Sequence, residues 1–95
     1  MNIKPTQILS VAPYYFVCQF NNGEIKKIDA TSCLDKNNIY VKSILTENVF
    51  KTAKIGELGQ IFWENIAEMK DEYNNTIKCE YYLSPEFVYY YSTSL

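Results

Sequence analysis

Between Tyr14 and Phe20 the chain alternates: Tyr14, Phe16, Cys18 and Phe20 fall at every second position. In an extended strand that spacing puts all four on one face, which predicts a half-buried strand with that face toward the core. Asn21-Asn22-Gly23 follows, residues that tolerate positive φ and suit a tight turn, and Glu24 to Ala30 runs back as the partner. The two segments predict an antiparallel β-hairpin. On the return strand Ile25 and Ile28 are three apart, so strict alternation buries only one of them. Ile28 with Ala30 fits the core, leaving Ile25 to the opposite face or to a bulge.

Gln7 to Ala12 is a further β-favouring run, ended by Pro13. After the hairpin the period changes. Asp29 or Thr31 can cap a short helix through about Asp35, and Lys36-Asn37-Asn38 breaks it. Tyr40 to Leu45 and Glu47 to Lys51 read as short helical segments that bury Ile44, Leu45, Val49 and Phe50. Thr52 to Ile55 and Gln60 to Trp63 read as short strands flanking the turn Gly56-Glu57-Leu58-Gly59.

Glu64 to Glu72 fits either a helix, with Phe62, Ile66 and Met69 along one side, or an irregular excursion; the order of 67–80 is open. Tyr73-Asn74-Asn75 is a turn signal and Thr76 to Tyr82 a strand. The chain then gives a full set of helix-start signals: Ser84 as N-cap, Pro85 at the first position, Glu86 against the dipole, and Leu83 placed to staple against Val88.

Composition narrows what such a chain can do. Ninety-five residues with 47% hydrophobic and 21% charged side chains describe one globular domain, 1–95, and no apolar run reaches the ~20 residues that span a bilayer. The opening MNIKPTQ has no apolar stretch of the secretory kind, so the expected location is the cytoplasm. Cys18, Cys33 and Cys79 are odd in number and far apart, which predicts reduced, mostly buried thiols and neither a disulfide framework nor a metal knuckle.

There is no histidine, which removes the commonest general base and metal ligand and with them triad-type hydrolysis. There is no arginine either, and the net charge is −2. Direct nucleic-acid binding leans on a cationic surface and bidentate arginines, so this composition argues against it.

Several short segments share the order and spacing of a known family. Ile8 and Val11; Phe20, Asn22, Gly23, Glu24 and Asp29; Val49, Phe50 and Ile55; Gly59, Ile61 and Trp63; and Ser84, Pro85 and Glu86 together resemble the domain of unknown function 2442, a group of small bacterial proteins. The resemblance implies a small α+β fold in which a β-hairpin packs with further strands and short helices. It carries no catalytic residues and no cofactor. It implies antitoxin-like or regulatory partners, since members occur beside small proteins suspected of being toxins and some carry an appended helix-turn-helix domain. The chain departs from the pattern in having Glu64-Asn65 after Trp63 in place of Pro-Asn-Gly, in a longer path from Ala67 to Glu80, and in lacking the appended domain.

The candidate residues are aromatic. Nine tyrosines are an excess of a side chain with a large apolar body and a polar tip, the type enriched in interface cores. Successive helical residues turn by about 100°, so Tyr89, Tyr90 and Tyr91 cannot share one buried face. With Tyr81 and Tyr82 they form the candidate partner-binding surface, or a homodimer contact. Trp63 is expected as a core anchor with its N–H bonded to a carbonyl, and also as a partner contact at the end of its strand.

Glu64, Glu68, Asp71 and Glu72 read as a solvated acidic face with no calcium-loop spacing, and Lys26-Lys27 as edge-strand lysines that discourage sheet pairing. The expected fold is therefore α+β: an antiparallel β-hairpin packed with further short strands and two or three short helices. The expected function is a non-enzymatic protein-interaction module, in its narrower form an antitoxin-like partner of a neighbouring toxin. A small-ligand or enzymatic domain using carboxylates such as Asp29, Glu24 and Glu64 with tyrosines is the alternative, and a transcription-associated accessory domain the third reading. No metal or cofactor is expected.

Overall fold

The computed structural model describes residues 2–95, so the domain limit at Met1 lies outside the described residues. The predicted hairpin is present as β2 (Tyr15–Phe20) and β3 (Ile25–Asp29), in regular antiparallel register from Tyr15 opposite Asp29 to Gln19 opposite Ile25. Gly23, at φ 89°, takes the left-handed turn position that a Cβ would strain. Phe16, Cys18, Phe20, Ile28 and Ala30 are buried, and Ile25 lies on the outer face with no bulge needed.

β1 (Pro5–Ala12) pairs with β2 through two register shifts. The other side of β3 is closed by β7 (Thr93–Ser94), which sets Ser94 opposite Lys26 and Thr93 opposite Lys27. This corrects the edge-strand reading of Lys26-Lys27. Their ammonium groups lie over aromatic faces instead, Lys26 Nζ 3.9 Å from the Tyr89 ring centre and Lys27 Nζ 4.1 Å from that of Tyr15.

Three short helices follow: α1 (Ala30–Cys33), α2 (Ile39–Ile44) and α3 (Glu47–Phe50). Asp29 caps α1 by accepting the Thr31 N–H, and Asn38 caps α2 by accepting from Tyr40 and Val41. Val41, Ile44 and Phe50 are buried, whereas Leu45 and Val49 are half-buried against them.

The second sheet consists of β4 (Lys54–Ile55), β5 (Ile61–Lys70) and β6 (Thr76–Leu83), in that order. Glu64 to Lys70 is therefore neither a helix nor an irregular excursion: the strand that begins at Ile61 simply continues. The reason is pairing. Beyond a bulge between Trp63 and Ala67, with Asn65 at φ 59°, Ala67 to Lys70 lie opposite Cys79 to Thr76. The turn at Asp71–Asn75 closes this ladder: Asn74 is left-handed at φ 63°, and Asp71 Oδ1 accepts the N–H groups of Tyr73 and Asn75 at 2.9 and 2.8 Å.

One core joins both sheets. Phe50 stacks on Phe16 at 4.6 Å and 11° between ring planes, and Trp63 stands 5.7 Å from each ring. The Trp63 Nε1–H donates to the Phe50 carbonyl at 3.1 Å, so the one polar atom of the buried indole is satisfied. α4 (Pro85–Tyr91) then packs Val88 into this core, with Leu83 buried beside it. Cys18 is buried and its thiol is pushed up to about 11 by loss of solvent; Cys33 and Cys79 are half-buried and free. No helix of the described residues is long and apolar enough to cross a membrane.

Candidate functional site

α4 begins where the sequence placed it. Ser84 Oγ accepts the Phe87 N–H at 3.1 Å, Pro85 fills the first turn, and the Ser84 carbonyl accepts the Val88 N–H at 3.0 Å. Once Val88 is fixed inward, the helical rotation decides the rest of the tyrosine run. Tyr89 turns toward the first sheet and is half-buried, its ring edge-on to Phe20 at 5.2 Å. Tyr90 and Tyr91 turn outward, 78% and 47% exposed.

Tyr89 is held at both ends. Its hydroxyl donates to Glu24 Oε1 at 2.6 Å while Lys26 lies across its face. That hydrogen bond holds the Glu24 carboxyl below its usual range, helped by a second bond from Asn22, and it pushes the Tyr89 phenol up because the proton is already shared with a carboxylate. Tyr89 therefore fastens α4 to the hairpin.

The outward rings form a cluster. Tyr91 packs against Phe87 at 4.6 Å and against Tyr90 at 4.9 Å. They line one side of a groove of about 580 Å³ with Lys26, Glu86 and Tyr89. Phe87 also lines a second groove of about 500 Å³, shared with Leu34, Asp35, Tyr81 and Tyr82. Phe87 thus borders both grooves. Phe87 is half-buried against the core, and its spacing of four from Tyr91 places the two rings on a shared helical face.

The other candidates divide. Tyr82 points outward and is 59% exposed. Tyr81, on the other face of β6, is half-buried between Trp63 at 6.4 Å and Tyr40 at 6.5 Å, and burial pushes its phenol up. Trp63 has no exposed surface at all. Its place as a core anchor leaves no ring face to present to a partner, so it is removed from the candidate surface.

The carboxylates are dispersed. Asp29 and Glu24 sit at opposite ends of β3, and Asp29 is held low by the Thr31 hydroxyl and backbone it caps. Glu64 pairs with Lys54 at 2.9 Å, Glu68 with Lys78 at 2.8 Å, and Asp71 organises its turn. Each has a local structural task. Set against family models, curated proteins and solved structures, the chain finds no match among any of them.

Proposed function

We propose that this chain is a non-enzymatic protein-interaction module whose contact surface is the aromatic cluster around α4. The observation that supports this reading is the group Phe87, Tyr90 and Tyr91, in which Tyr91 packs against both other rings and Tyr90 and Tyr91 are exposed. Rigid aromatic side chains with a polar tip supply contact area at little cost in side-chain entropy, which is why they concentrate at the energetic centres of interfaces. Tyr82 extends the surface past Phe87. Tyr89 stiffens it from beneath, since the bond to Glu24 pins the helix before any partner arrives.

The resemblance to the domain of unknown function 2442 supports a narrower form of the same reading, an antitoxin-like chain that binds the product of a neighbouring gene. Co-expression with that product, followed by size-exclusion chromatography and a growth assay, tests it. Co-elution and relief of toxicity are expected, both lost in the Tyr90→Ala, Tyr91→Ala double variant. Separate elution of the two proteins with no effect on growth would rule the antitoxin form out.

A further inference from the structure

We propose that β6 is the seam of a symmetric homodimer, in which two copies join their second sheets edge to edge about a two-fold axis at Cys79. This seam meets the α4 surface at Tyr82, and its test by charge swap at Lys78 and Glu80 leaves the α4 cluster untouched.

The starting point is an unfinished sheet. Past the bulge, β5 and β6 form a two-stranded arm whose inner face carries Ala67, Met69, Ile77 and Cys79, with Met69 and Ile77 still 52% and 41% exposed. β4 reaches only Lys54 and Ile55 and flanks the root of β5 alone. Among the described residues no backbone group outside β5 bonds to residues 76–82. A bare two-stranded ribbon is marginal in water, and an uncapped edge is a template for another strand.

The ladder fixes which groups that edge offers. The Asp71 N–H donates to the Asn75 carbonyl at 3.0 Å, making these two a hydrogen-bonded pair. Antiparallel ladders alternate, so Ile77 and Cys79 turn their backbone groups toward β5, and Thr76, Lys78, Glu80 and Tyr82 turn theirs outward.

Charge then selects the register. With the axis at Cys79, Lys78 faces Glu80 of the second copy and Glu80 faces its Lys78, while Thr76 faces Tyr82. Both charges are available: Lys78 is exposed and Glu80 forms no ion pair among the described residues. Lys78 already holds Glu68, so the seam continues an alternating row Glu68, Lys78, Glu80. Moving the axis by one residue sets Lys78 on Lys78 or Glu80 on Glu80, which like charges oppose. On the inner face Ile77 meets Tyr81 of the second copy, so the apolar row Met69, Ile77 continues across the seam. An interface of this kind is self-complementary, as a two-fold requires.

The register makes a charge-swap test possible. Equilibrium sedimentation of the full chain is expected to show a dimer. Glu80→Lys, which leaves the Lys78–Glu68 pair intact, sets lysine against lysine and weakens dimerisation about tenfold or more; Lys78→Glu does the same with carboxylates. Mixing the two weakened variants restores a heterodimer, because glutamates of one chain then face lysines of the other. In a Cys33→Ser background, added diamide is expected to join the two Cys79 thiols, the diamide taking up two electrons and two protons. The paired Cα atoms stand roughly 4.5 Å apart in such a non-hydrogen-bonded pair, within disulfide range. A wild-type chain that stays monomeric at high concentration, or single variants that dimerise unchanged, or a mixture that forms no heterodimer, overturns the proposal.

Discussion

The two halves of the β5–β6 hairpin share one antiparallel ladder and face opposite circumstances. At the root, Ile61, Trp63 and Leu83 are no more than 5% exposed, and Trp63 sits against Phe16 and Phe50. In the arm, Met69 and Ile77 occupy the same face and are 52% and 41% exposed. The hydrogen-bonding pattern is alike in both. The difference is tertiary, and it shows that a ladder alone does not make a strand stable or free; what packs on its face does.

Removing the root's support is the largest expected effect. Phe50→Ala deletes the ring that stacks on Phe16 and flanks Trp63, and should cost about 3–5 kcal/mol in a urea unfolding experiment. Ser84→Ala removes the oxygen that accepts the Phe87 N–H at the start of α4, for about 1 kcal/mol. In the arm, Ile77→Ala should change the stability of the isolated protomer by roughly 0.5 kcal/mol or less, because the side chain is still open to solvent. A loss comparable to that of Phe50→Ala would erase the distinction between root and arm.

The smallest effect is a pH dependence at α4. Glu24 is held below the ordinary value of 4.5 in the folded chain, so its contribution is present above that pH and is lost as pH falls through the lowered value. Tyr89 is raised above its ordinary value of 10.0, so its contribution is present below pH 10.0 and is lost as pH rises through the raised value. Tyr89→Phe should flatten the stability profile at both ends, measured by urea unfolding across pH. An unchanged profile would show that the Tyr89–Glu24 bond does not fasten the helix.

Much of this fold was legible because its signals are local. Alternation from Tyr14 to Phe20 with Asn21-Asn22-Gly23 after it specified the hairpin, and Ser84-Pro85-Glu86 specified the start of α4. The continuation of β5 was not legible. Phe62, Ile66 and Met69 have helical spacing, and the bulge at Asn65 interrupts any alternation; only pairing with Thr76–Leu83, a partner farther along the chain, decides for strand. β7 was hidden for the same reason, since Thr93 and Ser94 gain strand character only by reaching Lys27 and Lys26. At the candidate site, helical rotation foretold that the tyrosine run must split, but which way depended on Val88 being drawn inward. Trp63 is the core anchor expected of it, its indole wholly buried, whereas Phe87 is only partly buried against the core and lines both grooves.

Amide hydrogen exchange along the β5–β6 ladder tests the contrast most directly, because Trp63, Met69, Ile77 and Tyr81 all donate within the same ladder. In dilute solution the Trp63 and Tyr81 amides should exchange only through global unfolding, while those of Met69 and Ile77 exchange at least about a hundredfold faster through local opening. Equal protection along the whole ladder of the isolated protomer would contradict the account.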